Sequence, residues 1–98
     1  MQINKTKKED EMILELEGRL DTMTAPELEK VINGELSDVR KLTVDLAKLE
    51  YISSAGLRVL LSAQKIMNKQ GSMVVLHANE LIMEVFEVTG FTDILNIQ

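Results

Sequence analysis

Apolar positions along the chain recur with two different periods. Met12-Ile13-Leu14-Glu15-Leu16-Glu17 alternates, which places Met12, Leu14 and Leu16 on one face of a strand and Ile13 on the other. Residues 2–6 suit an edge strand, joined to it through the charged turn Lys7-Lys8-Glu9-Asp10, and Gly18 ends this hairpin region. Leu42-Thr43-Val44-Asp45-Leu46 is a second clear strand, followed by a connection over residues 47–53. Met73-Val74-Val75-Leu76 is almost wholly apolar, the mark of a central strand covered on both sides.

Between these strands the period becomes helical. Leu28, Val31, Ile32 and Leu36 follow Thr24-Ala25-Pro26-Glu27, which has the spacing of a capping box, the Thr24 hydroxyl accepting from the Glu27 amide and the Glu27 carboxylate reaching back. Pro26 falls in the first turn, where its missing N–H is harmless. Asn33-Gly34 weakens the last turn of this helix. A second helix runs from about Ala55 to Gln70, with Ser54 placed as N-cap and Gly71 as C-cap. Val59, Leu60, Ala63, Ile66 and Met67 make its buried stripe, and Arg58, Ser62, Lys65 and Lys69 its wet face. Asn79 caps a third helix, with Ile82, Val85 and Phe86 inward and Gly90 at its end. Ile94–Ile97 leaves room for a final short strand. The order β-β-α-β-α-β-α, with or without that last β, predicts an α/β fold in which a mixed sheet is flanked by amphipathic helices.

Length and charge narrow the function classes. The chain has 98 residues, enough for one domain spanning residues 1–98 and not for two. It has no cysteine and a single histidine, so disulfides, thiolate catalysis and Cys- or His-built metal sites are not expected, nor is a cofactor. Sixteen acidic residues against eleven basic ones give a net charge of −5, a poor match to nucleic acid. No apolar run approaches the ~20 residues that cross a bilayer. The N-terminal residues lack the apolar segment of a signal peptide. A soluble cytoplasmic protein without membrane insertion is the expectation.

Catalytic constellations are missing. No Walker loop and no Gly-x-Ser-x-Gly elbow occurs. His77 ends a strand and reads as a loop-facing or partly buried residue. Asp21, Asp45 and Glu50 read as turn or surface charges. One segment stands apart, Tyr51-Ile52-Ser53-Ser54-Ala55-Gly56-Leu57-Arg58. As an N-cap, Ser54 contributes about 1 kcal/mol and needs no further role. A phosphate on it would also lie at the positive end of the helix dipole, facing unpaired N–H groups.

Gly18-Arg19-Leu20-Asp21, Val44-Asp45-Leu46 and Tyr51–Leu57 together resemble the STAS domain family, above all its single-domain bacterial anti-sigma-factor antagonists, nearly end to end. The resemblance implies a STAS-like fold and a partner-switching module rather than an enzyme. Such antagonists, when unmodified, bind an anti-sigma factor that is also a serine kinase of the histidine-kinase-like ATPase class. Binding frees the sigma factor, phosphorylation on one serine ends it, and a metal-dependent serine phosphatase resets the cycle. The matching acceptor here is Ser54. Asp21 matches an acidic residue near that serine, and Asp45 the polar residue that ends the preceding strand. The implied interface comprises Asp21, Ser53, Ala55, Gly56, Leu57 and Arg58. The family usually has Asp where this chain has Ser53, which makes Ser53 a competing acceptor. The second serine of the usual pair is Ala55. Arg58 replaces a frequent glycine; four residues beyond Ser54, it can pair with a phosphate there or with a partner's carboxylate, or simply sit on a solvated helix face. Two other readings stay open: a STAS accessory subunit of a lipid-transport ABC system, gripping its ATPase without a kinase cycle, and a small-molecule binder.

Overall fold

The computed structural model describes all residues 1–98. Strands β1 (Gln2–Lys8) and β2 (Glu11–Leu20) form an antiparallel hairpin. The chain continues through α1 (Ala25–Glu35), β3 (Lys41–Ile52), α2 (Ser54–Gln70), β4 (Ser72–Leu76) and α3 (Glu80–Thr89), then a 3-10 turn at Phe91–Asp93. The sheet order is β1-β2-β3-β4, with β3 parallel to both β2 and β4.

Alternation in the strands decides which face is covered. Met12, Leu14 and Leu16 of β2, Leu42, Val44 and Leu46 of β3, and Met73 and Val75 of β4 are buried in one cluster. Leu28 and Ile32 of α1, Leu60, Ala63 and Met67 of α2, and Ile82 and Phe86 of α3 close that cluster. The intervening residues, among them Ile13, Glu15, Thr43 and Asp45, are exposed or half-buried on the opposite face. The helices therefore cover a single face. This corrects the reading of β4: it is an edge strand, and Val74 and Leu76 are only half-buried. Its outer edge meets one bridge, Val75 to Ile97, with Val75 N–H donating to Asn96 O and Gln98 N–H to Val75 O at 2.9 Å each. That bridge is all that forms of the final strand.

Two strands are longer than the pattern predicts. Gly18 does not end β2; at φ 97° it lies beside a register shift, and the strand runs on to Leu20. β3 absorbs most of the expected connection and reaches Ile52. Alternation fails at Ala47-Lys48 because an extra residue enters the ladder there. The pairing moves from Glu15–Asp45 to Glu17–Lys48, which returns Leu49 to the buried face. Asp45 secures this bulge, accepting from Ala47 N–H at 2.9 Å and lying 2.9 Å from His77 Nδ1. His77 holds the left-handed conformation, φ 62°.

The capping box does not form. Thr24 is the N-cap of α1 without capping it through its side chain. Its hydroxyl accepts from Asp21 N–H (2.9 Å) and donates to Arg19 O (2.7 Å). Asp21 Oδ1 holds the turn ahead of the helix, accepting from Met23 N–H (3.0 Å) and Thr24 N–H (3.1 Å), while the first helical amides go to backbone oxygens, Ala25 N–H to Asp21 O (2.8 Å) and Glu27 N–H to Thr24 O (3.0 Å). An aspartate competes well for such amides because its oxygens carry charge. The helix also runs through Asn33-Gly34 to Glu35.

At the far end of α2, three connections meet. Gln70 Nε2 donates to Leu36 O and to Val39 O, Ser72 N–H to Arg40 O, and Arg40 N–H to Asp10 O. Gly71 sits so close that a β-carbon on it would lie 1.9 Å from Arg40 O. Gly71→Ala must displace the α1–β3 loop, at a cost of about 1–3 kcal/mol. Urea unfolding of the variant checks this, and an unchanged midpoint would contradict it.

Asp21 and Asp45 make the acid limb of stability predictable. Partial desolvation pushes both carboxyls upward, but the hydrogen bonds they accept outweigh it. These come from Thr24 and Met23 for Asp21, and from His77 and Ala47 for Asp45; the charges of Arg19, His77 and Lys48 add to them. Both carboxyls therefore titrate below the ordinary value. A depressed folded-state value contributes stability above the unfolded pKa of about 3.9, and that contribution is lost as pH falls through the folded value. Urea midpoints should drop between about pH 5 and pH 3. Asp21→Asn keeps an acceptor oxygen but not the charge, so it should flatten that drop; an identical slope would exclude the role.

Candidate functional site at the start of α2

The close of β3 determines where α2 begins. Ser53 N–H donates to Leu20 O at 2.9 Å, which brings the first turn of α2 beside the β2–α1 turn. Because β3 stays extended through Ile52, Ser53 takes the extended N-cap conformation (ψ 175°) and Ser54 becomes the first helical residue. The expected assignment of Ser54 as N-cap is thus off by one. Ser53 is half-buried, and its Oγ accepts from Gly56 N–H at 3.5 Å, a long bond. Ser54 is exposed and its hydroxyl has no partner within the chain. Of the first-turn amides, Gly56 N–H goes to Ser53 Oγ and Leu57 N–H to Ser53 O, while those of Ser54 and Ala55 have no intrahelical acceptor.

Not every residue of the expected interface reaches the surface. Gly56 and Leu57 are buried and Ala55 half-buried. A β-carbon on Gly56 would lie 2.6 Å from Leu20 Cγ and 3.0 Å from Ile52 Cγ1. The glycine serves inward packing of α2 on the sheet, which is why the segment carries it. Asp21 stands at the neighbouring turn but is bound to that turn's own amides. Arg58 is exposed one turn along α2 from Ser54.

Asp45 does not belong to this cluster. It lies seven residues before Ile52 on β3, on the order of 20 Å along the strand at about 3.3 Å per residue, and pairs with His77. Sequence reasoning had no signal for that contact, since 32 residues separate the two. It also missed the stack of Arg19 over the Tyr51 ring, 4.3 Å from the centroid, with the Arg19 guanidinium 3.8 Å from Asp21. Arg19 and Tyr51 are cross-strand partners, so the stack braces the strand ends beneath the site.

Beside the serines, a groove of about 470 Å³ opens between α1 and α2. Ala25, Pro26 and Glu29 line it from α1, and Ala55, Arg58 and Lys65 from α2. Neither Arg58 nor Lys65 forms an ion pair within the chain. The site has hydroxyls, free amides and cations. No cluster of three or more His, Asp or Glu gathers to hold a metal ion, and no helix is long and apolar enough to cross a membrane.

Comparison with known proteins agrees with this architecture. The family model described as "Mlab, STAS domain" matches residues 3–96. BtrV of Bordetella bronchiseptica, provisionally named an anti-sigma factor antagonist, is 34% identical over 99% of this chain and 85% of its own length. The anti-sigma-B factor antagonist of Staphylococcus aureus is 32% identical over 82% of this chain and 76% of its own. Among solved structures, an anti-sigma factor antagonist from Mycobacterium paratuberculosis superposes with a TM-score of 0.88 at 22% identity, over 98% of this chain and 83% of that one. The phosphorylated form of the Bacillus cell fate determinant SpoIIAA gives 0.78 at 15% identity, over 99% and 91%. With four strands and three helices in the same arrangement, and a family match that spans almost its whole length, this chain belongs to the STAS domain family.

Proposed function

We propose that the protein is an anti-sigma-factor antagonist whose hold on its partner is controlled by phosphorylation of Ser54. The observation that carries this reading is the exposed, unbonded Ser54 hydroxyl at the first position of α2. Relatives above 30% identity that bear the antagonist name support it. In the proposed cycle the unmodified protein binds an anti-sigma factor of the histidine-kinase-like ATPase class through the β2–α1 turn and the start of α2. The Ser54 oxygen then forms a bond to the γ-phosphorus of ATP, the bond from that phosphorus to the β-phosphate oxygen breaks, ADP leaves and the hydroxyl proton passes to a base. A metal-dependent serine phosphatase hydrolyses the ester. The surroundings favour Ser54 over Ser53 as acceptor, because Ser53 is half-buried and its hydroxyl engages Gly56 N–H.

The added group carries about −1.5 to −2 charges. At a helix N-terminus the fold gains about 0.3–1 kcal/mol from it. Within a closed interface the same dianion needs a counter-charge or its water, and an unmatched one costs several kcal/mol. Docking fails while the domain stays folded.

Two measurements test this. Mass spectrometry of protein isolated from its own cells should find phosphate on Ser54 and not on Ser53. Partner captured by the unmodified protein should bind Ser54→Ala like wild type, and Ser54→Asp at least tenfold more weakly, about 1.4 kcal/mol. Equal binding of both variants, or native protein that never carries the ester, refutes the proposal. Retained grip on a transport ATPase without any ester would favour the accessory-subunit role instead.

A further inference from the structure

Charge on α2 is one-sided. The helix carries Arg58, Lys65 and Lys69 and no acidic residue, in a chain of net charge −5. Arg58 and Lys65 face the groove, where Glu29 of α1 is the single acid among the lining residues, so its mouth has a net charge of +1. An anionic occupant is matched there and a cationic one is not. The floor adds the apolar surface of Ala25, Pro26 and Ala55.

Arg58 also faces a second direction. It lies four residues beyond Ser54 on the same helix, a spacing that brings β-carbons to about 5–6 Å. Helical side chains lean toward the helix N-terminus, so the guanidinium can reach a group on Ser54 by a change of rotamer. It has no ion pair to give up in doing so.

Resting on the phosphorylation of Ser54 proposed above, we infer that Arg58 relays the state of Ser54 to the α1–α2 groove: it pairs with a carboxylate of an acidic partner segment while Ser54 is a free alcohol, and is captured by the phosphate once Ser54 is esterified. Capture removes one cation from the groove wall. The phosphate adds about −1.5 to −2 charges next to Ala55, one of the lining residues, which turns the local sign from positive to negative. The partner's carboxylate then meets repulsion in place of a bidentate fork.

The test uses the full chain with phosphoserine placed at position 54 by encoded incorporation, so it does not depend on whether cells make the ester. By phosphorus NMR, the second phosphate pKa should be about 0.3 unit or more lower in wild type than in Arg58→Gln, with Arg58→Lys between them. In a second measurement, a capped hexaglutamate peptide titrated at low salt should shift the amide resonances of Ala25 and Ala55. Its affinity should fall several-fold on Arg58→Gln and on phosphorylation, and the two losses together should be less than additive. Lys30→Gln, a change outside the groove lining, should alter neither reading. An unchanged phosphate pKa, no shift at the groove, or strictly additive losses would overturn the relay, whereas absence of the ester from native protein would overturn the cycle above it.

Discussion

The packing of Gly56 on Leu20 and Ile52 is the constraint on which the site depends. A helix can approach the sheet this closely only where no β-carbon intervenes. That approach, with the Ser53–Leu20 hydrogen bond, fixes both the start of α2 and its angle to the β2–α1 turn. Once α2 starts at Ser54, the hydroxyls part company: Ser53 turns to the amide of Gly56 and Ser54 is left to solvent. Accessibility of one serine is thus a consequence of core packing, set by the buried contact of Gly56 with Leu20 and Ile52.

Rigidity on both sides of the serine pair supports the same end. Beneath it, Arg19 stacks on Tyr51 and approaches Asp21. Beside it, Asp21 holds the amides of Met23 and Thr24. Asp21 draws its value from that charge, which is why acid and not the partner is the natural probe of it. Asp45 does comparable work at the β3 bulge, well away from the serines. Two aspartates that look alike in the sequence therefore belong to different parts of the molecule.

Much of this was legible from periodicity. The buried faces of β2 and β3, the stripe on α2 and the Asn79 cap of α3 follow from spacing that tertiary contacts do not disturb, and Asn79 Oδ1 does accept from Ile82 N–H at 2.8 Å. The failures share a cause. The bulge at Ala47-Lys48 breaks alternation and hid half of β3; the apolar run in β4 suggested two covered faces because propensity alone does not report what lies across a sheet. The Thr24 hydroxyl is drawn away from the helix by Asp21 N–H and Arg19 O, and Glu27 N–H goes to the Thr24 backbone oxygen instead. At the site, the serine segment was visible locally, while the groove could not be, since Ala25, Pro26 and Glu29 reach it from another helix.

The proposed switch follows from how little the domain itself must change. A dianion at the first position of a helix is favoured by the dipole and by free amides, so esterification gives the fold no reason to rearrange. All of its unfavourable energy then falls on the surface that would have been covered. A switch of this kind needs a counter-ion that the two states share unequally. Ser53 is neutral, Ala55 is small and Gly56 is buried, which leaves Arg58 as the cation within one helical turn of the ester on α2. A device placed at a single rotamer can reverse the sign of a groove without moving a strand.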